Sequence, residues 1–285
     1  MPPLRFGFVT CVQLGLSCME EIEGAGGRLD AVLTIPDDKA PAKAGRVYVD
    51  AYCAARSIPL LKSKNVNDGD AVAWLRHQSL DWLFIIGWSQ IARAEVLASV
   101  ARGAIGMHPT LLPEGRGRAA VPWAILKELR ETGVSLFKLD QGVDTGPIMA
   151  QERIPIAPRE TATTLYAKVE VAHRSLMRRV WPLLVRDEVL LVPQDESRAT
   201  VWPARTPADG RLDRAMRVVD ADRLVRAVTH PYPGAFLDEG PTRWRIWSAI
   251  PAGTAPETPG KSFRFADGDL LGLEVAQEPL EATPE

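Results

Sequence analysis

The chain has 285 residues, 46% of them hydrophobic, with 34 basic and 36 acidic side chains and a formal net charge of −2. Such a length and apolar share suit a sizeable core and two domains, and balanced charge without blocks of one sign leaves no nucleic-acid footprint. No apolar stretch approaches the ~20 residues that a membrane helix needs.

The first half alternates strand and helix. Leu4–Thr10 predicts a buried strand, Gly15–Glu23 a helix ending in Gly24-Ala25-Gly26-Gly27, and Asp30–Ile35 a second strand stopped by Pro36. Val47–Arg56 suits a helix, Leu60–Lys62 a short strand, Gly69–His77 a helix and Trp82–Ile86 a buried strand. Then come helix Arg93–Val100, strand Ala104–Met107, helix Val121–Arg130 and strand Val134–Leu139. Apolar strands between helices indicate an α/β, Rossmann-like fold: a mostly parallel sheet with helices on both faces. Ligands bind such sheets beyond the strand carboxyl ends, near a switch in strand order.

From Ile148 the character changes. Ile148–Ile156 alternates like a half-exposed strand, Ala162–Val185 predicts a long helix, and Pro193–Pro207 is polar and proline-containing. Beyond lie a short helix (Asp222–Val228), the turn His230-Pro231-Tyr232-Pro233-Gly234, and strands near Trp244–Ser248, Ser262–Phe265 and Leu271–Val275, with the last ten residues frayed. We expect an N-terminal domain over residues 1–192, a linker over 193–204 and a small β-rich domain over 205–285.

Cys11, Cys18 and Cys53 form no CxxC pair. An odd count without metal-ligand spacing points to a reducing compartment and against a zinc site. The start, MPPLRFGFVTCVQLG, lacks the basic opening and long apolar segment of a signal peptide. The expectation is a cytoplasmic, metal-free protein with no membrane and no nucleic-acid partner.

Chemistry concentrates between Ala104 and Pro147. His108 ends an apolar run, and Asp144 lies in the turn Gly142-Val143-Asp144-Thr145-Gly146 after the next strand. A histidine and an acid at strand ends can meet across one cleft, where the carboxylate fixes the imidazole and favours its protonated form. His77, His173 and His230 lack such a setting and read as structural. Gly115-Arg116-Gly117-Arg118-Ala119-Ala120 nominally fits a dinucleotide fingerprint, but PTLLPE separates it from the preceding strand, so a nicotinamide site is rejected. Its glycines and the following helix start suit an anion; Arg116 and Arg118 are either its partners or surface arginines.

HPTLLPEGRGRAAVPWAI followed by TGVSLFKLDQGVDTGPI resembles the signature of N10-formyltetrahydrofolate-dependent formyltransferases, most closely the sugar N-formyltransferases. The resemblance runs from Phe6 to about Val275. It implies formyl transfer to an amine, with N10-formyltetrahydrofolate as co-substrate, His108 as acid–base and Asp144 as its orienting acid. It places Trp88, Ser89, Gln90 and Ile91 along the pterin pocket, where Trp88 reads equally as core packing. It puts Asp140 in a folate-contacting loop, unless that acid caps its own turn, and gives Arg116 and Gly117 to the folate tail or a substrate phosphate. Pro36-Asp37-Asp38-Lys39, with Lys43, Gly45 and Arg46, resembles a mobile loop of sugar formyltransferases or is a plain surface loop.

One departure stands out. The family carries asparagine two positions before the histidine, and here that position is Gly106. Losing an oxyanion donor costs ~2.7–4 kcal/mol in known sites. Thr110 is a candidate replacement, or its hydroxyl caps its own turn. Asn65 and Asn67 sit in a polar loop and read as turn residues. The acceptor the resemblance implies is a nucleotide-linked amino sugar, because the segment from Arg205 intersperses its basic residues with acids and makes a poor tRNA platform. Methionyl-tRNA formylation and formyltetrahydrofolate hydrolysis are the alternative activities, and a homodimer is the analogous assembly.

Overall fold

The computed structural model describes residues 3–38, 45–254 and 259–280. Lys39 and Lys43 of the loop after the second strand lie outside the described residues. In chain order the first elements are β1 (Phe6–Val9), α1 (Gln13–Gly24), β2 (Ala31–Thr34), α2 (Asp50–Ala55), β3 (Leu60–Lys62), α3 (Gly69–His77), β4 (Trp82–Ile85), α4 (Ala94–Leu97) and β5 (Gly103–His108). There follow β6 (Arg116–Gly117), α5 (Ala120–Leu126), β7 (Glu131–Lys138), β8 (Ile148–Pro155), α6 (Ala162–Val185) and β9 (Val201–Trp202). The chain closes with α7 (Val218–Val228), β10 (Ala235–Glu239), β11 (Thr242–Pro251), β12 (Lys261–Arg264) and β13 (Asp269–Pro279). Two compact units interleave in sequence: Met1–Gly117, Thr132–Ile154 and Lys168–Val201 form one, and Arg118–Glu131, Pro155–Ala167 and Trp202–Glu285 the other.

The first unit is a mostly parallel seven-stranded sheet in the order β3-β2-β1-β4-β5-β7-β8. Every residue of β1 (FGFV), β2 (AVLT) and β4 (WLFI) is buried, which is why these runs are apolar but for Thr34 at the end of β2. After β3 the chain returns to the other side of β1, so strand order switches between β1 and β4. The sheet is not uniformly parallel. β7 runs antiparallel to β5, with Lys138 opposite Ile105 and Ser135 opposite His108. An apolar run marks a buried strand without marking its direction. The chain therefore leaves β7 beside Ile105, not beside His108.

One core cluster joins Val9, Leu33, Leu83 and Ile85 of the strands to Val72 and Leu75 of α3 and Val96 of α4. In α6 the residues Leu165, Val169, Ala172, Leu176, Val180 and Leu184 recur at helical spacing and are buried. Trp181 of this helix packs against Phe6 at 4.4 Å and Phe84 at 6.4 Å between ring centroids. His173 lies on the same helix, 1% exposed, with Nδ1 donating to Val169 O at 2.8 Å. Cys11, Cys18 and Cys53 are free and buried; burial pushes the Cys53 thiol up to about 11 and raises Cys18 further.

The second unit packs α7 on an antiparallel sheet ordered β10-β11-β13-β12. Val218, Ala221, Leu224, Val225 and Val228 give the helix its buried stripe. Asp222 is buried among them and is held by Arg226 Nε and Arg159 Nη2, both at 2.9 Å. Strand β10 has no counterpart in the sequence reading. Its five residues, AFLDE, are too short and too polar at the end to show alternation, and pairing with β11 makes them a strand. β13 runs to Pro279, so the fraying expected over the last ten residues does not begin at their start.

The buried histidine sets a pH dependence. Burial, with a smaller contribution from the charge of His108, pushes His173 from 6.5 down to about 4. Its neutral form is the one that folds. Between those values the unfolded chain binds a proton that the folded chain does not, so stability is full above pH 6.5 and falls as pH drops towards 4. A shift of this size corresponds to about 3 kcal/mol. Urea unfolding at stepped pH should show the loss, and His173→Leu should flatten it; equal slopes in the two proteins would remove His173 as the cause.

Candidate active site

His108 is the last residue of β5 and is 8% exposed. Its Nε2 lies 2.8 Å from Gly115 O. A carbonyl only accepts, so Nε2 carries the hydrogen. Nδ1 then faces Asp144 Oδ2 at 3.5 Å, longer than an ordinary hydrogen bond. The neutral ring presents a lone pair at Nδ1, and protonation there puts a cation beside a carboxylate. The same Asp144 oxygen accepts from Gly117 N at 2.9 Å. Structure thus brings the two predicted catalytic side chains together, with Gly115 and Gly117 holding one each.

Because β7 ends beside Ile105, Asp144 reaches His108 through the turn that follows. Leu139 N donates to Ala104 O at 2.8 Å and Lys138 N to Pro147 O at 3.0 Å, closing the loop at its base. A Cβ on Gly146 would lie 1.8 Å from Lys138 O, so only glycine fits there. Asp144 itself adopts φ +56°, a left-handed conformation that aspartate tolerates better than most residues. Asp140 Oδ1 accepts from Gly142 N at 3.0 Å and Thr145 Oγ1 at 2.6 Å. Of its two readings the turn cap is what the geometry displays.

Arg116 departs from the expected ligand role. It is 5% exposed, and its guanidinium is taken up by Glu196 (2.6 and 2.8 Å) and by Gln194 Oε1 (2.8 and 3.2 Å). The Glu196 hydrogen bond is the main reason Arg116 is held above the usual arginine range. A guanidinium so engaged is held in place by residues of the chain itself. Gly117 likewise gives its N–H to Asp144. The stretch read as a linker supplies these partners. Gln194 Nε2 donates to Asp144 O at 2.8 Å and Gly146 O at 2.7 Å, and Thr200 Oγ1 accepts from Gly115 N at 2.8 Å. A polar segment with no periodicity gives no sequence signal for such contacts.

The segment Trp88–Ile91 follows β4 at the switch point between β1 and β4. Gly87 has φ +68°, and a Cβ there would sit 2.2 Å from Val12 Cγ2. Trp88 is half-buried against the core and donates from Nε1 to Gln90 Oε1 at 3.1 Å. Gln90 also accepts from Val66 N at 3.0 Å and donates to Lys64 O at 2.7 Å. Asn67 donates to Ile91 O at 3.0 Å and accepts from Arg93 N at 2.8 Å, so it braces this loop. Ser89 and Ile91 are exposed. Gln90 acts as a brace, whereas Ile91, 60% exposed, offers an apolar wall.

At Gly106 a Cβ would meet Leu139 Cδ2 at 2.7 Å and Phe137 Cε1 at 3.4 Å. The leucine side chain fills the volume that a residue at 106 would use. Ser135 Oγ, also absent from the sequence reading, donates to Thr110 O at 2.7 Å and accepts from Leu112 N at 3.0 Å and Gln151 Nε2 at 2.8 Å. It pins the chain leaving His108. A lone serine in the apolar Val134–Leu139 run was its only trace. Thr110 Oγ1 is buried and has no hydrogen-bond partner among the described residues, so it does not cap its own turn. Among these residues no group of three His, Cys, Asp or Glu could hold a metal, and no helix is long and apolar enough to cross a membrane.

A family model described as formyl transferase matches residues 16–181, and one described as formyl transferase, C-terminal domain, matches residues 205–281. Among solved structures, the chain is similar to WlaRD, a sugar 3N-formyl transferase, with TM-score 0.69 and 14% identity over 99% of this chain and 100% of that one. It is similar to an N-formyltransferase from Helicobacter canadensis with TM-score 0.69 and 15% identity, covering 94% of this chain and 98% of that one. A methionyl-tRNA formyltransferase from Clostridium thermocellum gives TM-score 0.65 and 15% identity over 97% and 99% of the two chains. At these identities the likeness is one of fold.

The crowding at Gly106 is testable. Gly106→Asn must push the tip of the half-buried Leu139 aside, which places its cost at the low end of the ~1–3 kcal/mol that overpacking carries. Denaturant midpoints should fall for the single variant and recover in part when Leu139→Ala is added. A Gly106→Asn protein as stable as wild type would show that the leucine does not fill that space.

Proposed function

Because the chain belongs to the formyl transferase family, we propose that it moves a formyl group from N10-formyltetrahydrofolate to the amine of a nucleotide-linked amino sugar, with His108 and Asp144 handling the proton. The reading rests above all on the line Gly115 O, His108 and Asp144 Oδ2. With Nε2 committed to Gly115, Nδ1 is the atom that accepts the proton released by the attacking amine. Asp144 Oδ2 steadies the charge that results, and the same proton is then held ready for return to the leaving nitrogen. When bound, the folate supplies the formyl carbon from N10. The Trp88–Ile91 segment fits a flat heterocycle: it lies at a switch point and adds an exposed apolar Ile91. Asp140, Arg116 and Gly117 support the site through their contacts with its turn and with Gln194.

Charge pairing supports the choice of acceptor. In the second unit Arg243 pairs with Asp238 (2.8 Å), Arg245 with Glu278 (2.7 Å), Arg223 with Glu128 (2.6 Å) and Arg217 with Asp220 (2.9 Å). Arginines neutralised one by one are poorly placed to replace the counterions of a long polyanion. A nucleoside diphosphate needs only one or two cations. Two similar structures, WlaRD and the Helicobacter canadensis enzyme, were crystallised with dTDP and with dTDP-3-aminofucose, each beside a folate.

Two measurements check this. Asp144→Asn and His108→Ala should each lower turnover ~100–10,000-fold with donor binding nearly intact; turnover close to wild type in either would remove the pair from the chemistry. Given the formyl donor and a panel of acceptors, the enzyme should formylate at least one nucleotide-linked 3-amino or 4-amino deoxysugar and leave methionyl-tRNA unmodified. Salt-sensitive formylation of methionyl-tRNA would overturn the acceptor, and donor consumption without any amine would point to hydrolysis.

A further inference from the structure

We propose that Gln194, held by Arg116, is the positioning residue for the Asp144 carboxylate. The inference rests on the His108–Asp144 pairing described above as the proton-handling site. Asp144 sits in a turn whose residues 140–143 are exposed. Its left-handed backbone, φ +56°, is a conformation that needs outside support. Gln194 provides it from across the site. Both amide hydrogens are spent on the turn, one on Asp144 O at 2.8 Å and one on Gly146 O at 2.7 Å. The amide oxygen takes Arg116 Nη2 at 2.8 Å and Nε at 3.2 Å. Every donor and acceptor of the side chain is used, which fixes its orientation without ambiguity.

Arg116 is tied in turn at both ends. Its guanidinium meets Glu196, and its backbone N donates to Thr200 O at 2.9 Å. Its chain neighbours are the two residues that touch the pair directly: Gly115 O receives His108 Nε2, and Gly117 N donates to Asp144 Oδ2. The three residues 115–117 and Gln194 therefore form one closed set of hydrogen bonds around the imidazole and the carboxylate. Without Gln194, the carbonyls of Asp144 and Gly146 lose a donor and Arg116 keeps only Glu196, so the turn that carries the carboxylate is released. Its role is exerted through Asp144, not through substrate.

A double-mutant cycle reads this out. Gln194→Ala should lower kcat by up to ~100-fold, the loss that a misplacement of ~1 Å can cause, with the KM for the formyl donor within about threefold of wild type. In an Asp144→Asn background the same change should have little further effect, because coupled residues are not additive. If Gln194→Ala does not fold, Gln194→Glu carries the test: it keeps the acceptor for Arg116 and loses both donors to the turn. Full turnover in that variant, or losses that multiply with Asp144→Asn, would overturn the proposal. Should Asp144→Asn alone leave turnover unchanged, the failure belongs to the proton-handling pair and not to Gln194.

Discussion

An imidazole set between a carbonyl and a carboxylate is the constraint around which the first unit is organised. Gly115 O admits only a donor, so it assigns the hydrogen to His108 Nε2 and turns Nδ1 towards Asp144. For that to hold, the end of β5, the loop through residues 115–117 and the turn after β7 must keep their mutual spacing. Each is tied by a backbone or buried polar contact: Ser135 grips the chain at Thr110 and Leu112, and Leu139 N meets Ala104 O. The apolar sheet supplies rigidity, and these polar contacts supply registration.

Much of the fold was legible because apolar runs and glycine stops fall at regular intervals. β1, β2 and β4 read directly from FGFV, AVLT and WLFI, since strands buried on both faces lack the polar alternation of half-exposed ones. The direction of β7 was not, because Val134–Leu139 has the same apolar profile in either sense and direction is set by pairing. β10 was invisible for a related reason: five residues acquire strand geometry only when β11 is present.

The candidate site divides in the same way. His108 and Asp144 stood out through their glycine- and proline-rich surroundings. Arg116 was visible as a residue, but nothing local reveals that Glu196 and Gln194 close over it. Contacts between segments about 80 residues apart leave no periodic trace, and the polar stretch that provides them has the composition of a spacer. Gly106 was legible as a departure, but what fills its place, Leu139, follows only from the antiparallel pairing of β5 and β7.

The three buried cysteines carry a separate consequence. A thiolate is the form that attacks disulfides and alkylating reagents, and burial holds Cys18 and Cys53 as thiols well beyond neutral pH. Low thiolate content and burial both disfavour their reaction with oxidants, whatever the surrounding solvent. An odd cysteine count, which on its own suggests a reducing compartment, becomes a statement about core geometry instead, and accessibility of these sulfurs to a thiol reagent is a direct gauge of how often the first unit opens.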